Sequence, residues 1–172
     1  MTFPLPGEYN PNFGKYIELA RSTGREFDIL YQSNTEELIL LLEALPVQKQ
    51  DYYYAEGKWT IKEVLMHLND TERVFGYRAL VCGRGDTTTP LHYMDENLYA
   101  GNVSVTHRSM ESLLEEFIVI RKSNKFLFCN LTTEQSAWLG NNIDYKVSAR
   151  ALAWAVIGHA IHHLNVLRER YL

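Results

Sequence analysis

The sequence predicts an all-α protein, a four-helix bundle with a short extra helix at the N-terminus. Three observations carry this. Four long stretches repeat apolar residues at helical spacing. Start and stop residues fall at the ends of those stretches. No stretch reads convincingly as a strand, and 52–54 and 103–105 are the only β-like scraps. Four amphipathic helices of this length bury their stripes by packing as a bundle.

The segment through Asn12 is rich in Pro and Gly and is expected to wrap the surface. A short helix follows over 12–21. The next helix spans 26–45, with Phe27, Leu30, Leu38, Leu41, Leu42 and Leu45 on one stripe and Pro46 as its stop. Residues 48–58 are polar and aromatic and read as a loop. Thr60 with Glu63 forms a capping box. The helix it opens runs to about 81, with a stripe of Ile61, Val64, Leu65, Leu68, Phe75 and Ala79, and Gly83 and Gly85 end it. Residues 86–106 look irregular, and a loop of that length in a compact domain is generally functional. It is also long enough for a crossover, so simple up-down topology is not required. Ser109 caps a third helix over 110–131, a turn centres on Gly140, and Ser148 opens a last helix that runs to the C-terminus.

At 172 residues the chain is expected to be one domain, with a core that needs no staples. The net charge of −4 argues against a nucleic-acid partner, which would require a clustered basic face. The densest basic stretch, 168–170, is interrupted by Glu169. The N-terminus lacks the cationic and apolar regions of a signal peptide. The longest apolar run, 151–157, falls far short of the ~20 residues of a membrane span. A soluble, cytoplasmic protein is therefore expected, with no membrane partner. Cys82 and Cys129 are expected to be free thiols.

The last helix carries the chemistry. Stepping ~100° per residue from His159, Leu152, Ala155, Val156, Val166 and Leu167 fall within about 80°, and His163 lies about 40° away. Two imidazoles one turn apart thus sit in the middle of a buried stripe, with His162 at its edge. Burying an unpaired polar group costs on the order of 1–3 kcal/mol, so the pair needs a reason. Histidines at i and i+4 aim both rings at one spot, as a transition metal requires. The best third ligand is His67, at the flank of the second helix's stripe. Asp70 and Glu63 are its neighbours and could accept its second N–H. This is not the HExxH pattern of zinc proteases, because no Glu follows His159.

The stretch YAEGKWTIKEVLMHLNDTERV over 54–74 resembles the second-helix signature of DinB-like proteins: Trp-Thr, a Glu, then His67 with Asp70 three residues on. GHAIHHL over 158–164 is similar to the same family's last-helix motif, and RAL (78–80), TPL (89–91) and DEN (95–97) also fit. The resemblance spans nearly the whole chain. It implies an up-down-down-up bundle, a three-histidine site of His67, His159 and His163 for one divalent ion (zinc or nickel), and a homodimer. It also implies either transfer of a low-molecular-weight thiol such as bacillithiol or hydrolysis of an unidentified small molecule. A Glu stands at the position of His159 in the maleylpyruvate isomerase branch, so the chain departs from that branch. On this reading the 86–106 loop lines a substrate pocket with Trp59, Tyr93 and Tyr99 as walls. Arg78 could bind a carboxylate on a thiol cosubstrate, and Asp70 and Arg78 are candidate catalytic groups. The alternative is a non-catalytic binding module stabilised by its metal, although no fourth protein ligand is evident to close such a site.

Overall fold

A computed structural model describes residues 1–142 and 145–172. The helices, numbered in chain order, are α1 (Pro11–Arg21), α2 (Phe27–Glu43), α3 (Ile61–Gly83), α4 (Glu96–Asn102), α5 (Met110–Cys129), α6 (Thr133–Ala137) and α7 (Ala149–Val166). A last turn of π-helix, Leu167–Tyr171, continues α7. The caps read from the sequence are made. Thr60 accepts from the Glu63 N–H, and the Glu63 carboxylate accepts the Thr60 N–H at 2.7 Å. Ser109 caps α5 and Ser148 caps α7. Each cap satisfies donors that the first helical turn cannot pair internally.

The core falls into two clusters, one at each end of the bundle, and they give the direction of each helix. Phe27, Leu30 and Tyr31 place the start of α2 in the first cluster, and Leu38 and Leu42 place its end in the second. Helix α3 runs the other way, from Ile61 and Leu65 in the second to Phe75 and Ala79 in the first. So does α5, from Leu113 and Phe117 to Phe128. Helix α7 returns, from Leu152 and Trp154 to Leu164. The order is up-down-down-up. Because α3 and α5 are parallel, the chain must travel back along a helix roughly 35 Å long between them. That is the physical reason for the long segment after α3.

Two expectations need correction. The segment after α3 is not wholly irregular, since it contains β1 (Pro90–Leu91) and α4. Strands also exist, in a small sheet of order β1-β2-β3 formed with β2 (Leu139–Asn142) and β3 (Tyr145–Ser148). Strand β1 pairs with β2 in parallel, and β2 pairs with β3 antiparallel. The expected turn at Gly140 therefore lies inside a strand, whereas neither 52–54 nor 103–105 is one. Strands of two to four residues are too short to show a period of two. Their stability comes from docking on α3, where Cys82 Sγ donates to the Val147 carbonyl at 3.4 Å. Helix α6 also goes unforeseen, at only five residues.

The N-terminal segment lies across the start of α7. The Phe3 ring stacks on Trp154 at 3.7 Å, the Trp154 indole donates to the Thr2 carbonyl, and Glu8 pairs with Arg150. Helix α1 packs closely on α7. A Cβ at Gly158 would sit 1.7 Å from the Tyr16 carbonyl oxygen, so only glycine permits this approach. No described helix is long and apolar enough to cross a membrane.

Candidate metal centre

Helix α3 delivers His67, and α7 delivers His159 and His163 one turn apart. The His159 Nε2 lies 3.1 Å from the His67 Nε2 and 3.1 Å from the His163 Nε2. His159 sits at the junction of the two core clusters, between Ile157 of the first and Ala160 of the second. Only 6% of His67 and 5% of His159 is exposed. Aromatic rings surround the group. Trp59 covers His67 at 4.8 Å, and the Tyr16 ring meets His159 edge-on at 5.2 Å.

The residues fit a metal ion. With metal–nitrogen bonds of ~2.0–2.1 Å, two ligands stand about 3.4 Å apart at a tetrahedral angle and about 2.9 Å apart at a right angle. The 3.1 Å of the His159–His67 and His159–His163 pairs falls between these values, and all three ligand atoms lie within 4.8 Å of one another. Hydrogen bonding alone leaves the cluster unsatisfied. An imidazole nitrogen offers either one lone pair or one N–H in the ring plane. His159 Nε2 faces two partners and can serve only one, whereas a cation at the centre would serve all three. The His163 Nδ1, on the far side of the ring from the cluster, is buried with no protein hydrogen-bond partner.

Burial is the main cause that pushes these imidazoles toward the neutral form, with the neighbouring histidines adding to it. The pKa of His67 falls to about 4 and that of His163 to about 3, and His159 lies well below its ordinary value. Near pH 7 all three lone pairs are free to ligate. Among the described residues no fourth His, Cys, Asp or Glu joins the group.

A cleft of about 380 Å³ opens beside the cluster, lined by His163 and His162 of α7, Trp59, Tyr54 and Lys58 of the segment before α3, Asn97 of α4, and Arg170 and Tyr171 at the C-terminus. Tyr171 orders this corner. Its hydroxyl donates to the Trp59 carbonyl at 2.7 Å, and the Tyr54 ring stands edge-on to it at 4.9 Å.

The other residues singled out in the sequence lie apart from this cleft. Arg78 is buried, donates to the His92 carbonyl and lies over the Phe75 ring. Asp70 lines a separate cavity with Tyr99, and burial raises its pKa against the pull of Arg73. Tyr93 is 80% exposed. Glu63 is held by the capping box and is not shown bonding His67. Sequence reasoning passed over Tyr16, Tyr54, Lys58 and Arg170. Tyr54 and Lys58 lie in a segment read as loop and at the start of the 54–74 signature, where neither was given a role, and nothing in periodicity announces that Tyr16 of α1 lies over α7. Arg170 stood in the densest basic stretch, and that was the one available signal.

Fold and cluster together define an up-down-down-up helical bundle with a three-histidine group able to hold a divalent metal. The chain belongs to the DinB superfamily, whose sequence profile matches residues 30–167. Among solved structures it is similar to YfiT from Bacillus subtilis, described as a probable metal-dependent hydrolase with an unusual four-helix bundle topology. The two share 17% identity and a TM-score of 0.73 over 96% of this chain and 89% of the other. Comparison with curated proteins returns no match.

Proposed function

We propose that this protein is a metal-dependent enzyme in which His67, His159 and His163 hold one divalent ion, zinc or nickel. It acts on a small molecule, by hydrolysis or by transfer of a low-molecular-weight thiol of the bacillithiol type. The observation that carries the reading is the convergence of three neutral imidazole nitrogens from two helices within 4.8 Å of one another. When bound, the ion would supply Lewis acidity and lower the pKa of a coordinated water or thiol. The chain's own residues do the rest. Trp59 covers His67 and limits water on that side. The cleft at His163 gives a ligand a path to the cluster. The lack of a fourth side-chain ligand among the described residues favours a catalytic site over a closed structural one. The likeness to YfiT favours hydrolysis.

Neither cysteine is suited to be the attacking thiol. Cys82 is buried against β3, with its pKa pushed up to about 11 mainly by burial, and Cys129 lies on α5 beside Asp28. A thiol-transfer reaction would draw its thiol from a cosubstrate. The test loads purified protein with zinc or nickel and screens cellular thiols against a model electrophile, alongside esters and amides. Turnover that disappears in His163→Ala supports the proposal. Absence of turnover in both screens overturns it.

A second reading has one observation in its favour. His159 sits where the two core clusters meet and His67 faces it from α3, so an ion there could simply staple α3 to α7. On that reading metal removal lowers the melting temperature greatly and no substrate is turned over.

A further inference from the structure

The cleft beside the histidines has a chemical character of its own. The protein carries a net charge of −4, yet no Asp or Glu is among the described residues lining the cleft. Two cations, Lys58 and Arg170, face it from different parts of the chain. Other basic groups nearby in sequence are paired: Arg168 with Glu37 at 2.8 Å and Lys62 with Asp51 at 3.0 Å. Among the described residues, Lys58 and Arg170 pair with no carboxylate. The acids adjacent in sequence, Glu56 and Glu169, are exposed and form no ion pair with Lys58 or Arg170, and Glu63 is occupied by the α3 cap. Arg170 is also held in place, with an Nη1 3.3 Å from the Tyr54 hydroxyl and its guanidinium 5.5 Å over the Tyr54 ring. Trp59, Tyr54 and Tyr171 add aromatic surface to the lining of the same cleft.

Two cations without a carboxylate partner, three aromatic rings and a histidine of the candidate reaction centre therefore line one cleft. We infer that this cleft binds an anionic small molecule with a flat apolar body, its charge held by Lys58 and Arg170 and its reacting end at His163. The inference rests on the reading of the histidine cluster as the reaction centre, and it moves substrate recognition from Arg78 to Lys58 and Arg170. A preformed guanidinium is well suited to a carboxylate or phosphate, because its planar fork matches both. The aromatic walls exclude water around the ligand's apolar body.

The test uses 4-nitrobenzoate and its uncharged analogue 4-nitrobenzamide, titrated calorimetrically into metal-free protein at low salt. Metal-free protein is chosen because a carboxylate can also bind a metal directly. The benzoate is expected to bind about tenfold or more tighter than the amide. Added salt should narrow that gap, because exposed charges are screened. The double variant Lys58→Gln/Arg170→Gln should erase it. Both side chains are exposed, and an unchanged melting temperature verifies that the variant is folded. Equal affinity for the two probes overturns the inference, and so does a preference that survives the double variant. A benzoate preference seen only after metal loading does the same, since it assigns the anion to the ion. These results are independent of whether the histidines bind metal, so failure of one reading is distinguishable from failure of the other.

Discussion

Gly158→Ala places a methyl group 1.7 Å from the Tyr16 carbonyl oxygen, where ordinary contact begins at 3.4 Å. The two helices must therefore separate by about 1.7 Å locally. The obstacle is backbone, and no side-chain rotation relieves it. Separation would loosen Ile17 and Ala20, both fully buried in the first core cluster, and withdraw the Tyr16 ring from His159. Overpacking of this kind costs about 1–3 kcal/mol, and a rigid backbone obstacle belongs at the upper end. For a chain of this size each kcal/mol lowers the melting temperature by about 2–4 °C, so a fall of roughly 6–12 °C is expected. Helix propensity alone predicts the opposite sign, since Ala is favoured over Gly by about 1 kcal/mol inside a helix. Thermal unfolding followed by circular dichroism separates the two. Gly101→Ala in α4 is the control, because nothing lies within 4 Å of its Cβ position, and it should leave stability unchanged or slightly raised. A Gly158→Ala protein that melts at or above the parent temperature would refute the close α1–α7 contact.

Two further predictions concern charge inside the bundle. Arg121 and Glu72 form a buried pair, with Arg121 also donating to Thr35 and Asn34 and Asn124 donating to Glu72. Arg121→Met strands the Glu72 carboxylate and should cost about 3–5 kcal/mol by urea denaturation, whereas the double change Glu72→Leu/Arg121→Met should recover most of it; an equal loss in both would contradict this. In metal-free protein, His67 titrates at about 4 when folded but near 6.5 when unfolded, so the unfolded chain takes up a proton that the folded chain refuses. Stability is thus complete above about pH 6.5 and falls with pH, by about 3 kcal/mol at pH 4 from this group alone. The urea midpoint should drop less steeply over this range in His67→Leu, and parallel pH profiles would refute the assignment.

Much of the bundle was legible because its signals are local and repeat over several turns. Thr60 with Glu63, Ser109 and Ser148 announce helix starts through side-chain chemistry that acts within three residues. The parallel run of α3 and α5 left its mark as a long connection. The small sheet left none, because two Asn residues and a glycine in β2 read as a turn, and their pairing depends on Pro90 and Leu91 some fifty positions away. The buried Arg121–Glu72 network was equally hidden: charged residues on α3 and α5 look solvated until the helices are packed. At the site, His159 and His163 stood out because polar residues in the centre of an apolar stripe contradict the pattern around them. His67 was visible through its position on a second stripe. The cleft was not visible, because it joins Tyr54 and Lys58 to Arg170 across more than a hundred residues.

The central claim is that three imidazoles from α3 and α7 hold one ion, and elemental analysis of protein purified without a histidine tag tests it most directly. The account predicts about one equivalent of a divalent transition metal in the parent protein and almost none in His163→Ala. Metal-free parent protein that fails to take up zinc or nickel would contradict it, as would a variant that retains the full equivalent.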